Sequence, residues 1–467
     1  MVSVIRRVAV LGGGPSGAVA AKCLLAEGIR PVIFEQRSGF GGAWNYTAET
    51  KLRLRHVPQE NPNLEDEAIA RTPRDQPVFM TPMYDALETN IPKDLMIFKN
   101  TPFNNALQLF PKHEDVKQYV QDFSKDLESY TRFNKRVIRV AREADQKWLV
   151  EVQDVLFKQV EMEIFDAIIV ATGHYNVPYI PPINGISEFE KKYPGAIKHS
   201  KYFRTAAGFE GKKLVVVGNS ASGIDIAMQI AEVSQTPLYQ SCKSTTSFKE
   251  FPSLAGTKIK IVPTISEFVP ESKTVVFSDG TSESDIDMVL FCTGYLHSLP
   301  FLVESSEQSE RMVTDGFYIH NLYQHMFYIP CPTFSIIGLP TKIIPFPFTE
   351  CQAAVIAGVY SGRLMIPSEK DMAAWEKELL QNRPGDRHLH FLNFPQDADY
   401  MDMLNRWSEE GGDDGKPRYE ATQWADKQRW IRKNIPKIKA AFIKAKADGR
   451  IAKTMEELGF SYEEGDA

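Results

Sequence analysis

Cysteine is scarce in this chain of 467 residues, and what there is stands badly placed for cross-linking: Cys23, Cys242, Cys292, Cys331 and Cys351 include no close pair. An odd count without a framework excludes a disulfide scaffold and fits a reducing compartment. Long apolar runs are also missing, since no stretch approaches the ~18 continuous apolar residues of a membrane-spanning helix. Nothing ahead of the strand-like run Val8-Ala9-Val10-Leu11 has the pattern of a secretory leader. The acidic end from Glu463 to Ala467 has no lipid-anchoring character. These absences point to a cytoplasmic protein with no membrane partner. Charge of one sign is not gathered anywhere on the scale that nucleic acid requires: the net charge is −6 with both signs mixed, which argues against a nucleic-acid partner. Lys433, Lys437, Lys439, Lys444, Lys446, Arg450 and Lys453 make the end locally basic, and they read as the solvated face of a terminal helix. His56, His113, His174 and His325 lack ligand spacing, so no metal is expected.

What is present is an ordinary globular composition, long enough for two or three domains and for a crevice that takes a large cofactor. Two segments share one design. The first runs Val8-Ala9-Val10-Leu11-Gly12-Gly13-Gly14-Pro15-Ser16-Gly17, then an alanine-rich helix, then Pro31-Val32-Ile33-Phe34-Glu35. The second runs Leu214-Val215-Val216-Val217-Gly218-Asn219-Ser220-Ala221-Ser222-Gly223 into a helical pattern. A short β-branched run, a glycine turn and a helix are how a βαβ unit opens. Two buried-type strands that end on Thr-Gly, at Thr172-Gly173 and Thr293-Gly294, close the two units.

The expected fold is therefore α/β, with two nested Rossmann-like dinucleotide-binding domains and a helical C-terminal extension. Residues 1–177 are expected to form the first part of the outer nucleotide-binding domain, 178–297 an inserted second nucleotide-binding domain, and 298–467 the second part of the outer domain with C-terminal helices. The crossings lie at Val177-Pro178-Tyr179-Ile180-Pro181-Pro182 and near Leu296 to Pro300. From about residue 366 onward the sequence reads as helices with polar loops, such as 411–415, and contains no motif with a role.

Gly12, Gly14 and Gly17 make a G-x-G-x-x-G turn that lets backbone N–H groups, with Pro15 and Ser16 between them, approach a pyrophosphate at a helix N-terminus. Glu35 follows Gly17 by eighteen residues, close to the roughly 20 expected of a carboxylate that holds ribose hydroxyls. Gly41-Gly42-Ala43-Trp44 offers paired glycines that let backbone lie against a flavin ring; a turn supporting a core tryptophan is the alternative. The second turn, Gly218 to Gly223, departs from the rule because Ser220 replaces the middle glycine, which narrows the backbone's approach but adds a hydroxyl. After it, Ser241 and Lys243 stand where an NAD-preferring unit has a carboxylate, and they suit the 2′-phosphate of NADPH. Two nested nucleotide sites suggest hydride passing from nicotinamide to flavin. No cysteine lies between Cys23 and Cys242, so a redox pair near the flavin, as in a disulfide reductase, is excluded.

Further stretches carry a family resemblance. Tyr193-Pro194-Gly195-Ala196-Ile197-Lys198-His199-Ser200-Lys201-Tyr202-Phe203 is similar to the F-x-G-x-x-x-H-x-x-x-[FY] pattern of the flavin-containing monooxygenases, with Tyr for the first Phe. Leu87-Glu88-Thr89-Asn90, Ala171-Thr172-Gly173-His174-Tyr175 and Phe291-Cys292-Thr293-Gly294-Tyr295 match too, as does Phe346-Pro347-Phe348-Thr349-Glu350-Cys351-Gln352. The resemblance runs to about residue 365 and is nearest to the short soluble forms of yeasts and other fungi. It implies an enzyme of the N,N-dimethylaniline monooxygenase type: NADPH reduces FAD, dioxygen forms a hydroperoxide at flavin C4a, and one oxygen passes to a nucleophilic nitrogen or sulfur. The partners are then dioxygen and a small-molecule amine, thiol or sulfide, and a homodimer is left open. The resemblance also implies that Asn90 lies beside flavin and dioxygen (against the alternative that it only caps the turn before Ile91-Pro92). It puts Gln352 at the start of a helix close to the flavin, and Tyr175 and Tyr295 on the NADPH side. His199 is expected to join the two domains rather than to act as acid or base. Baeyer–Villiger oxygenation is the enzymatic alternative, disfavoured by Phe203-Arg204, and an NADPH oxidase without coupled oxygenation is the other.

Overall fold

The computed structural model describes residues 5–48, 54, 56–66, 70–71, 77–243, 258–303, 311–383, 385, 388–410 and 418–463. The expected loop at 411–415, Ser244 and the acidic terminus beyond Glu463 lie outside them.

The strand Arg7–Leu11 is central to a seven-stranded sheet. It pairs in parallel with Arg30–Phe34 on one side and with Ala167–Val170 on the other. Phe334–Ile336 pairs in parallel with Ala167–Val170, so two neighbouring strands are separated in sequence by more than a hundred and fifty residues. Val8 through Leu11 are buried on both faces, as a covered parallel strand requires. Alternate residues go to opposite layers. Val8, Val10 and Ile33 join the core beneath helices α1 (Pro15–Ala26) and α2 (His113–Ser124). Ala9, Leu11, Val32 and Phe34 meet Val140, Trp148, Val150 and Phe165. The last four come from an antiparallel meander of Lys135–Arg142, Trp148–Asp154 and Val160–Phe165.

Between Ala167–Val170 and Phe334–Ile336 the chain builds a second, five-stranded parallel sheet. Its order in space is Ile197–His199, Met288–Phe291, Leu214–Val217, Leu238–Ser241 and Ile259–Val262. The short helix α3 (Ile186–Lys192) precedes it, and α4 (Ala221–Ala231) covers one face through Ile226, Ala227 and Ile230. The chain enters through Val177–Pro178 and leaves through Tyr295–Leu296, and these two short strands pair with each other antiparallel. The two crossings expected from sequence are thus one two-stranded ribbon.

After the return, α5 (Pro345–Tyr360) packs against α1. Then come α6 (Glu369–Asn382), α7 (Gln396–Glu409) and α8 (Asp426–Ala447). Leu404, Trp407, Ile431 and Phe442 from the last two helices enter the same core as Val8 and Val10. The basic face of α8 is exposed as expected except at Lys439, which is only 6% exposed. None of the described helices is long and apolar enough to cross a membrane.

Candidate functional site

The first glycine turn is fixed by contacts that no other residue tolerates. Gly12 has φ +116°, and a Cβ there would lie 2.5 Å from the Ala171 carbonyl oxygen. A Cβ on Gly17 would lie 1.9 Å from the Gly12 carbonyl oxygen. The first strand, the Thr-Gly strand and α1 are therefore pressed together at one point. Gly42 has φ +55°, and a Cβ there would come within 2.8 Å of Gly14 Cα, which brings the 3-10 turn Gly42–Trp44 onto the glycine turn. Gly14 caps α1 without a side chain and Pro15 opens it. The N–H groups of the first turn are thus left for a ligand, at the positive end of the helix. Glu35 is buried; its Oε2 accepts Gly13 N–H at 2.7 Å and its Oε1 accepts Arg37 N–H at 2.8 Å. This fixes the carboxylate at the tip of the second strand, where a ribose would reach it.

A cavity of about 340 Å³ opens in front of these groups. Gly12, Gly14, Pro15, Ser16, Glu35, Gly42 and Trp44 line it together with Thr172, Gly173, His174 and Tyr175. The N-terminus of α5 (Pro345, Phe346 and Thr349) closes another side. Leu11, Val137, Ile138, Leu296 and Phe301 make much of the remaining wall apolar. Ser298 Oγ and Thr341 Oγ1 are buried on this wall without a protein partner. A glycine cradle at a helix N-terminus, an anchored carboxylate and the unpaired Thr341 hydroxyl along an apolar trough fit FAD, with its pyrophosphate on the turn and its ribose on Glu35.

The second turn repeats the first. Gly218 has φ +107°, with a Cβ position 2.7 Å from the Cys292 carbonyl oxygen, and a Cβ on Gly223 would lie 2.3 Å from the Gly218 carbonyl oxygen. Ser220 holds φ −80°, ψ −177°, and Gly14 holds φ −81°, ψ −177°. The serine therefore costs no backbone strain. Ser220, Ala221 and Ser222 form the exposed start of α4 with Asn219 before it, and Lys243 is exposed beyond the next strand. This arrangement suits a nicotinamide dinucleotide phosphate. Ser241, expected on the same site, is 1% exposed and its hydroxyl donates to the Pro263 carbonyl at 2.9 Å.

Other expected residues divide. Tyr175 lines the large cavity, and its ring meets that of Tyr295 edge to face at 5.6 Å, where the two units join. Gln352 is not at the start of its helix. It lies in the middle of α5, fully buried, where it accepts Gly338 N–H at 2.9 Å and donates to Tyr400 Oη at 3.3 Å. Gly338 lines the cavity, so Gln352 shapes the wall from behind. Asn90 is exposed and is not part of the cavity lining. The turn it belongs to is closed by Thr89, whose hydroxyl donates to the Ile91 carbonyl at 2.8 Å.

The Tyr193–Phe203 stretch works as a joint. His199 Nδ1 accepts Lys201 N–H at 3.0 Å, so its Nε2 carries the hydrogen and donates to the Gly294 carbonyl at 3.0 Å. Both nitrogens are committed, and burial pulls the ring down to about 3, so it stays neutral and is no acid or base. Two residues overlooked in the sequence complete the joint. Buried Arg204 donates to the carbonyls of Thr81, Met83, Lys201 and Phe203 at 2.6–3.1 Å. Lys201 donates to the Asn176 carbonyl beside the cavity and lies 3.7 Å from Asp66. Lys201 within the motif and Arg204 directly after it stand in the sequence, but nothing there marks them as buried. Nothing marks the places of His174, Ser298 and Thr341 either.

Comparison with known proteins agrees with this geometry. The flavin-binding monooxygenase-like family matches residues 76–247 and 240–412, and an NAD(P)-binding Rossmann-like domain matches residues 10–65. A flavin-containing monooxygenase of Arabidopsis thaliana, FMO GS-OX-like 4, is 33% identical over 381 residues, covering 78% of each chain. The flavin-containing monooxygenase ustF2 of Aspergillus flavus is 31% identical over 418 residues, covering 78% of this chain and 84% of the relative. Among solved structures, S-allyl-L-cysteine S-oxygenase from Allium sativum superposes with TM-score 0.77 at 28% identity over 98% of both chains. The chain therefore belongs to the flavin-binding monooxygenase-like family and is an FAD- and NADPH-dependent monooxygenase.

Proposed function

We propose that this enzyme places one oxygen atom of dioxygen on the sulfur of a small sulfide or thiol, with small amines as the related nitrogen class. The observation that carries the reading is that one cavity is walled both by the first glycine turn and by the junction with the second unit, at Tyr175, Asn176 and Leu296. A flavin on the first turn and a nicotinamide from the second meet there. The likeness to an S-oxygenase along nearly the whole chain supports sulfur. When bound, FAD reduced by NADPH supplies the activated oxygen; the protein supplies position and dryness. Gly12, Gly14 and Gly17 hold the pyrophosphate, Glu35 the ribose, and Gly42 with Trp44 borders the ring. Gly218 to Gly223 with Lys243 hold NADPH, the family resemblance assigns Asn90 to the oxygenation site, and Gln352 keeps Gly338 in place. The proposed division is 1–177, 178–297 and 298–467, supported by the pairing of Val177–Pro178 with Tyr295–Leu296. A cytoplasmic location is supported by five cysteines that all stand free.

The test is anaerobic reduction with NADPH, followed by air-saturated buffer containing a sulfide or an amine. Sulfoxide formed in proportion to NADPH consumed, with its oxygen derived from dioxygen, is the expected outcome. Hydrogen peroxide released with no oxygenated product from either class overturns the proposal.

A further inference from the structure

Among the described residues, eleven buried side-chain polar atoms close no hydrogen bond, and four of them converge on one place. They are Nδ1 and Nε2 of His174, Nδ1 of His297 and Oγ of Ser298. All three residues line a small pocket of about 10 Å³, and His174 and Ser298 also line the large cofactor cavity. The two rings stand 5.5 Å apart with no bond between them. Leaving such atoms without a partner costs about 1–3 kcal/mol each, and a volume near 10 Å³ is about what one water needs. A buried water typically has about three polar partners, and this pocket presents three residues.

We propose that the small pocket binds one ordered water, held by His174, His297 and Ser298, and that this water together with His297 carries a proton into the cofactor cavity. This rests on the monooxygenase reading, in which NADPH, a proton, dioxygen and substrate give NADP⁺, water and oxygenated substrate. One proton per turnover must therefore enter a cavity whose walls are largely apolar. On this route His297 takes a proton at Nε2, the ring nitrogen that is not among the buried unpaired atoms, and releases one from Nδ1. The water accepts that proton and passes another to His174, which stands on the cavity wall. Burial pulls His174 to about 4, against an opposing contact with the Gly338 backbone on the same pocket wall, and pulls His297 to about 3, so near neutral pH each ring has one N–H and one lone pair, as relay in either direction requires. The chain of rings continues to His390, 5.1 Å from His297, but the route does not. His390 Nε2 accepts Ile319 N–H at 3.1 Å and its Nδ1 is shared with His325 at 3.0 Å, so both nitrogens are taken.

Two measurements on the FAD-loaded enzyme test this. A high-resolution crystal structure is expected to show one solvent peak within hydrogen-bond distance of His297 Nδ1 and Ser298 Oγ, and Ser298→Ala to weaken it. In rapid mixing, His297→Ala and His297→Gln are expected to bind FAD and accept hydride from NADPH at the wild-type rate. Their dioxygen-dependent return to oxidised flavin with substrate present should slow about a hundredfold. The slowing should come with a larger solvent deuterium effect, and free imidazole should restore part of the rate in His297→Ala. A pocket without solvent density, or a return at wild-type rate with an unchanged deuterium effect, overturns the proposal. Wild-type protein that NADPH fails to reduce would instead overturn the monooxygenase reading.

Discussion

At the scale of single residues, the site is held by places where a carbon atom has no room. Gly12 combines a left-handed φ with a neighbour 2.5 Å from any Cβ, and that neighbour is the Ala171 backbone on the adjoining strand. Gly12→Ala is expected to yield folded protein that loses FAD on gel filtration, read from the flavin-to-protein absorbance ratio; full retention of flavin would refute the cradle. Ser220 shows the opposite case. Its torsions equal those of Gly14, so a glycine is not needed there for backbone reasons. The tight contact at position 14 is made from the other side, because a Cβ on Gly42 would come within 2.8 Å of Gly14 Cα. Ser220→Gly should therefore alter the Kd for NADP⁺ by no more than the roughly 0.5–1 kcal/mol of a glycine's extra backbone freedom, measured by calorimetry. A larger loss would show that the serine hydroxyl binds phosphate directly.

At the scale of elements, α8 has a role that its basic sequence hides. Lys439 lies over the Phe110 ring at 4.4 Å and donates to the Thr89 carbonyl at 2.8 Å, next to Asn90. Lys446 reaches Glu88 at 2.6 Å. The same segment touches the second unit, since the Tyr84 hydroxyl donates to Asp225 on α4. The C-terminal helix thus braces the turn that presents Asn90. Lys439→Met leaves the Thr89 carbonyl unpaired, at an expected cost of about 1–3 kcal/mol in denaturant unfolding. If Asn90 works at the oxygenation site, the same variant consumes more NADPH per product formed. Lys446→Met removes a half-exposed ammonium and leaves Glu88 with the Gln108 amide as a donor, so it should cost less, under about 1 kcal/mol. Equal effects from both would rule out a special role for Lys439. Periodicity marked α8 as a helix with a charged face, yet it could not say which lysine turns inward, because that depends on Phe110 from a distant segment.

At the scale of the whole molecule, the buried histidines set the response to acid. Burial pulls His174 to about 4, His199, His297 and His325 to about 3, and His390 well below its usual value. Unfolded, these rings titrate near ~6.5. At these five rings the unfolded chain binds more protons than the folded one between about pH 6.5 and 3, so their contribution to stability rises with pH and is lost on acidification, partly offset by the buried carboxyls of Asp225, Glu350, Glu376 and Asp397, which burial raises. The melting temperature of the FAD-free protein is expected to fall steadily as pH drops below about 6.5. His199→Gln, which removes one titrating group, should make that fall shallower at some cost to stability near neutral pH. A flat profile between pH 7 and 5 would contradict the burial of these rings.

The nested pair of dinucleotide turns, Glu35, the Thr-Gly strand ends and the joint around His199 were all legible in the residue order. The turns, Glu35 and the strand ends depend on local chemistry, a positive φ that only glycine takes readily, a carboxylate at a strand tip or a run of apolar residues, whereas the joint was legible only through the family resemblance. Several features were decided by the tertiary structure alone. These are the middle-of-helix place of Gln352, the inward turn of Ser241, the exposure of Asn90, and the meeting of His174, His297 and Ser298. Each rests on which other segment packs beside the residue, from Gly338 beside Gln352 and Pro263 beside Ser241 to His297 beside His174, and a pattern of short spacings has no information about such partners.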